Sequence, residues 1–268
     1  MPRGVDRYDE ARQQGRLWTP TALPASELKL WVDVDDRGTI TASSDLVSQL
    51  NDKSGNGSNL TEATNKPLLQ MEPQTGKFGL YLGNGAVAKF LSGTWSISTT
   101  TFYAACACTM ETGTVNNGRL FSIGTTGSTN DYDVASKMAV LTRNGTGNTL
   151  RATRASASFG GPASVTLSRP FIQGMALDGS NGIYYINGTA GTSGASTGTL
   201  STANIRIGKS IDFTEYWRGY LFELVATVSV PSIQLRTRID GYLAWKWGTV
   251  KDLAAAHPFK NRPPLMGD

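Results

Sequence analysis

The stretch Trp217–Gly248, W-R-G-Y-L-F-E-L-V-A-T-V-S-V-P-S-I-Q-L-R-T-R-I-D-G-Y-L-A-W-K-W-G, allows few folds. From Tyr220 it alternates. Tyr220, Phe222, Leu224, Ala226, Val228 and Val230 form an apolar set, and Leu221, Glu223, Val225, Thr227 and Ser229 form a mixed one. A period of two predicts a long strand with one face against a core. Pro231 and Ser232 break it. Leu235, Ile239, Tyr242 and Leu243 then recur at helical spacing, with Ser232 placed as N-cap and Gly248 as the residue after the last turn. A chain that closes on strand, break and helix must cover that helix's apolar stripe with a sheet.

The rest reads as strands and polar turns. E-L-K-L-W-V-D-V-D-D (27–36) puts Leu28, Leu30, Val32 and Val34 on one face and Lys29, Trp31, Asp33 and Asp35 on the other. Residues 95–110 read as one core strand. R-L-F-S-I-G (119–124), K-M-A-V-L-T (137–142) and T-L-R-A-T (149–153) follow at even spacing, and 169–188 read as two strands around D-G-S-N-G. Thirty glycines and only 17% charged residues suit many short strands. Loops at 111–118, 125–133, 143–148 and 187–203 are rich in Gly, Thr and Ser, the places where such a scaffold binds. The expected organisation is an N-terminal arm (1–27), one β-sandwich domain (28–248) and a proline-rich tail (249–268), with Leu17, Trp18 and Pro20 docking back onto the domain and both arms suited to docking with partners.

Charge and cysteine content narrow the classes. The net charge is +4, with the excess toward the C-terminus and no basic stripe interleaved with aromatics, which argues against nucleic-acid binding. Cys106 and Cys108 lie two apart on a strand, share a face and read as small buried hydrophobes, which suits assembly in a reducing cytoplasm. Residues 1–30 hold no apolar signal-peptide core, and no run of about 18 apolar residues predicts a membrane span.

The closing segment resembles that of LamG-like, concanavalin A-like jelly-roll domains of tailed-phage virions. There a G-x-(L/I)-x-E strand precedes a helix ending in Y-L-A-x-K-W-G. The matching residues are Gly219, Leu221 and Glu223, then Tyr242, Leu243, Ala244, Lys246, Trp247 and Gly248, with Trp245 between them. L-V-S-Q-L-N-D-K-S-G-N-G-S-N-L (46–60) is similar to the family's V-x-x-W-x-D-K-S-G-N-G-N-N pattern, with Leu50 in place of tryptophan, and H-P-F-K (257–260) to its tail. The resemblance implies an all-β, concanavalin A-like jelly-roll sandwich of two antiparallel sheets with one short C-terminal helix. It also implies a non-enzymatic virion protein of the tail tip, fibre or adsorption apparatus, or a capsid decoration protein, attached to other virion proteins and present as a homo-oligomer.

Relatives of this fold cleave polysaccharides with E-x-D-x-x-E on one strand; no such motif occurs here, and Glu223 has no carboxylate at i±2. A lectin is the rival reading. Asn130, Asp131, Tyr132 and Asp133 form one aromatic-plus-polar loop set, and Tyr216 and Trp217 beside Asp212 and Glu215 form another, the type that holds a host-surface glycan. Asp33 and Asp35 share a face and could share a calcium ion; the plainer reading is acids paired with a nearby Lys or Arg. His257, beside Pro258, is poorly placed to be a preorganised base, and no cofactor is implied.

Overall fold

A computed structural model describes residues 4–84, 87–125 and 131–268. Among the described residues two α-helices flank the strands: α1 (Gly4–Gln13) and α2 (Ile233–Trp247). The longer strands are β1 (Leu28–Asp33), β2 (Ile40–Ser43), β3 (Leu46–Leu50), β4 (Leu68–Met71), β5 (Phe78–Tyr81), β6 (Leu91–Thr99), β7 (Thr101–Cys108), β8 (Arg119–Gly124), β9 (Met138–Arg143), β10 (Leu150–Arg154), β11 (Ala157–Gly160), β12 (Phe171–Asp178), β13 (Asn181–Ile186), β14 (Leu200–Ile207) and β15 (Tyr220–Thr227).

The strands make an antiparallel β-sandwich. One layer runs β1–β15–β7–β12–β13, and the other runs β6–β14–β8–β9–β10–β11. Side ladders through β3, β4 and β5 join the layers into one hydrogen-bonded sheet. Between them lies the main core: Leu30, Val32, Phe102, Cys106, Cys108, Met175 and Leu224 from the first layer, and Phe121, Ile123, Val140, Ala152, Ile205 and Ile207 from the second.

The outer face of the first layer is also dry. There Tyr103, Ala105, Tyr220, Phe222 and Val225 meet Ile239, Tyr242, Leu243 and Trp247 of α2. All eight residues of β15 are therefore buried. Ser232 caps α2 by accepting from Leu235 N (3.2 Å), and Gly248 ends it in the left-handed region at φ +76°.

Two sequence expectations change. The alternation in β15 shifts phase at a bulge: Ala107 pairs with Glu223 while Cys108 pairs with Leu221, leaving Phe222 as the extra residue. Phe222 and Glu223 therefore both face α2, and Leu221, Leu224 and Ala226 face the sandwich core. Period-two reading cannot see a bulge, because a strand buried on both sides is apolar in either phase. Residues 95–110 are likewise two strands, since the chain turns at Thr100 and sends β6 and β7 to opposite layers.

The arms fold back onto the domain. Leu17 bridges to Leu265, Trp18 N donates to Pro264 O (3.1 Å), and Trp18 packs edge-on against Tyr242 at 5.9 Å. Tyr8, Trp18 and Leu23 join the second core. Leu17 and Trp18 thus dock back onto the domain as the sequence suggested, because they cover the apolar side of α2. Among the described residues no helix is long and apolar enough to cross a membrane.

Candidate functional site

Two charged clusters stand out, and they differ in kind. The first is built by the closing motif. Glu223, fully buried, accepts three hydrogen bonds, from Trp31 Nε1 (2.7 Å) and Tyr242 OH (2.9 Å) at Oε1 and from Trp247 Nε1 (2.8 Å) at Oε2, and Lys246 Nζ pairs with Oε2 at 2.8 Å. Lys246 Nζ also meets Asp33 Oδ1 at 2.6 Å, and Lys53 Nζ meets Asp33 Oδ2 at 3.1 Å. Burial alone would push Lys246 toward losing its proton; the Glu223 and Asp33 carboxylates reverse that and raise its pKa. Burial pushes the Asp33 carboxyl up, and Lys246 and Lys53 outweigh it, so its pKa falls.

The motif residues are therefore a clasp between α2 and the sheet. Trp247 stacks on Phe222 at 5.0 Å. Trp245 donates Nε1 to Phe259 O (2.7 Å) and holds the tail. Gly219 sits at φ +131°, where a Cβ would lie 2.2 Å from Thr109 O, so only glycine fits. D-K-S-G-N-G delivers the fourth charge. Asp52 accepts from Trp31 N (3.0 Å), Ser54 N (2.8 Å) and Ser58 N (3.1 Å), and this turn sets Lys53 against Asp33.

Asp33 and Asp35 do not converge on an ion. Both oxygens of Asp33 are taken by ammonium groups, and Asp35 is half-exposed with Arg12 at 3.9 Å. The pairing with lysine prevails because a buried carboxylate needs a counter-charge and Lys246 supplies it from the facing helix. Among the described residues no group of three or more His, Cys, Asp or Glu is placed to hold a metal ion.

The second cluster joins the two loop sets that the sequence offered separately. Arg119, at the start of β8 and 2% exposed, grips Asp131 through Nη2–Oδ1 (3.1 Å) and Nε–Oδ2 (3.3 Å). The same Nη2 lies 3.0 Å from Glu215 Oε2, outside hydrogen-bond alignment. Arg119 also donates to Asn117 O and lies 5.6 Å from the Tyr132 ring centroid. Its backbone bridges Tyr216. Arg151 donates to Asn117 Oδ1 (3.0 Å), while its Nε is buried without a partner. Burial raises the Glu215 pKa, aided by Asp131 and opposed by Arg119.

Tyr132, Asp133, Asp212 and Tyr216 are all partly exposed. Asp133 pairs with Lys137 (3.4 Å), and Asp212 acts electrostatically on Arg206. Asp131 is sealed rather than displayed. Trp217 is corrected outright: it is fully buried and donates Nε1 to Thr109 O (2.8 Å), so it is a core plug and not a sugar platform. Asn130 lies outside the described residues. Arg119, Asn117 and Arg151 organise the cluster and were not chosen from sequence; Glu215 was expected there, beside Tyr216 and Trp217. The only hint was an arginine opening a strand with no other charged residue.

The cluster can offer tyrosine edges, a half-exposed carboxylate and amide donors to a polar ligand. It is poorly built for glycosidic cleavage, which needs two carboxylates free to exchange protons or attack. Asp131 has no exposed surface, and both its oxygens are bound to Arg119. A cavity of about 570 Å³ beside α1 shares no lining residue with this cluster; it is lined by Tyr8, Arg12, Asp35, Arg37, Lys53 and Tyr242 among others.

No protein-family model and no curated protein matches the chain. Solved structures match in fold. An arabinofuranosidase complexed with arabinofuranosyl-α-1,2-xylobiose is 18% identical with a TM-score of 0.58, covering 75% of this chain and 51% of that one. The binding domain of botulinum neurotoxin serotype G is 14% identical with a TM-score of 0.55, over 79% and 50%. Domain 4 of AbnA, an extracellular arabinanase from Geobacillus stearothermophilus solved with arabinotriose, is 14% identical with a TM-score of 0.50, over 78% and 95%. The chain spans about half the length of the first two and nearly all of the third. What it shares with them is the lectin-like, all-β sandwich, and at these identities the fold is the whole of the likeness.

Proposed function

We propose that this chain is a non-enzymatic structural protein of a phage virion, of the tail tip, fibre or adsorption apparatus, whose sandwich contacts host glycan through the Arg119 cluster. The observation that carries the binding half is the meeting of two loops, each bearing an aromatic and a carboxylate, on one buried arginine. Arg119 spends its charge on Asp131 and Glu215, so it fixes both loops and leaves Tyr132 and Tyr216 partly open to a sugar. The sugar-bound neighbours of the same fold support this reading. The virion half rests on the closing motif and on an N-terminal arm and tail that lie packed on the domain, which leaves their outer surfaces as the route of attachment.

The test is a glycan array on the full chain, followed by titration of any hit. Saturable binding that Tyr132→Ala and Tyr216→Ala each reduce at least tenfold, with the unfolding midpoint retained, is expected. No binding to any glycan, or binding indifferent to both substitutions, removes this site. Release of reducing sugar from a bound polysaccharide overturns the non-enzymatic reading. Immunolabelled particles test the virion assignment separately, and particles without label defeat it.

A further inference from the structure

The tail is seated where two glycines allow it to approach. A Cβ on Gly241 of α2 would lie 2.6 Å from Phe259 Cβ. One on Gly188, just beyond β13 at φ +79°, would lie 3.2 Å from the His257 ring and 3.5 Å from Asp240 Oδ2. The tail in turn holds the N-terminal arm, through Trp18 N to Pro264 O (3.1 Å) and Met266 N to Arg16 O (2.7 Å).

Within this seat three buried polar atoms lack a partner: Asp240 Oδ2, His257 Nε2 and Arg236 Nε. The first two are complementary. Phe259 N donates to His257 Nδ1 (3.2 Å), so the neutral imidazole carries its proton on Nε2. That nitrogen and Asp240 Oδ2 each lie 3.5 Å from the same point beside Gly188. Asp240 is 2% exposed, and its Oδ1 has only the Tyr103 hydroxyl, at 3.5 Å. Facing it are Tyr103 from β7, His257 from the tail, and Arg236 one turn earlier on α2, whose Nη1 donates to Tyr185 OH of β13 (3.0 Å). Lys260 adds positive charge beside His257.

We propose that Asp240 and His257 form a proton latch, which holds the tail most tightly when both side chains are neutral and loosens it when either becomes charged. Arg236 offsets a negative charge on Asp240 only in part, and Lys260 opposes a positive one on His257, so a charge buried here is costly. Water can reach it most easily by lifting the tail, since the other covers are α2 and the sheet.

The electrostatics agree in direction. Burial pushes Asp240 up to about 7, against Arg236 and the Tyr103 hydrogen bond. Its folded value exceeds its unfolded one, so the stability it gives is lost as pH rises through that value. Burial, then Lys260, pushes His257 below its ordinary 6.5. Its folded value is depressed, so its contribution is lost as pH falls through that value. The closed window lies between the two.

Hydrogen exchange on the full chain tests this, with tail amides at 253–266 followed across roughly pH 5 to 9 and corrected for intrinsic rates. Protection should peak between the two pKa values and fall on both sides, by up to about tenfold per pH unit. Asp240→Asn should abolish the alkaline limb, and His257→Gln the acid limb. Tail protection that is flat across the range, or an alkaline limb that survives Asp240→Asn, overturns the latch. Carbon-13 titration of the wild-type carboxyl covers the case of a variant that fails to fold. Asp240 titrating near the ordinary value of 3.8 overturns the latch, and titration near 7 supports it.

Discussion

The Glu223–Lys246 clasp and the Arg119 cluster use the same chemistry to opposite ends. Each buries a cation against two carboxylates. In the clasp all four oxygens of Glu223 and Asp33 are met by donors, from indoles, a phenol and ammonium groups. In the Arg119 cluster Glu215 Oε2 is out of line, Arg151 Nε is unpartnered, and the two tyrosines are part-exposed. A fully satisfied network has nothing left to offer a ligand and so serves architecture. A partly satisfied one at a loop junction retains hydrogen-bonding capacity for something else.

The sharpest way to break this comparison is to remove one charge from the clasp. Lys246→Met leaves Glu223 and Asp33 facing each other underground, and should cost about 3–5 kcal/mol in denaturant unfolding. A loss under about 1 kcal/mol would show the network to be no clasp. Gly219→Ala comes next. It forces a Cβ onto Thr109 O at a positive φ, and a loss of about 1–3 kcal/mol is expected from strain alone.

Trp217→Phe should follow, leaving Thr109 O without its indole donor at about 1–3 kcal/mol, while any glycan affinity stays as it was. Affinity lost in step with Tyr216→Ala would return Trp217 to the binding surface. The smallest stability effects belong to Tyr132→Ala and Tyr216→Ala, within about 1 kcal/mol each. Their effect should fall on ligand binding.

Acid response sharpens the contrast. The folded pKa of Asp33 is depressed, so its stabilisation is present above the ordinary value of 3.8 and is lost as pH falls through the depressed one. Unfolding free energy followed downward from pH 5 should fall in the wild type. Asp33→Asn, weaker at neutral pH, should fall less steeply; parallel curves would deny Asp33 its charged role.

Much of the fold was readable because the signals are local. The strand–proline–helix succession, the Ser232 cap and the Gly248 terminus depend on neighbours in sequence, and the helix expected over 232–247 forms at Ile233–Trp247. Cys106 and Cys108, two apart, could only share a face, and both lie in the core. Less of the site was readable. Tyr132 and Tyr216 were visible as aromatics beside acids, but their convergence depends on Arg119, 13 residues from one and 97 from the other. Trp217 looked like its neighbour Tyr216, yet successive strand-like residues point opposite ways, and only packing decides which is inside.

The amino-acid order by itself determined a β-rich chain closed by a capped helix, because period, caps and turns act over a few residues. The tertiary structure alone decided that Glu223 and Lys246 are sealed while Glu215 is half-open. It also decided that the bulge at Phe222 turns two neighbouring side chains toward α2, and that the tail is the surface on which the N-terminal arm lies. Burial and charge pairing arise from which distant surfaces meet, and that meeting is a property of the whole packed molecule.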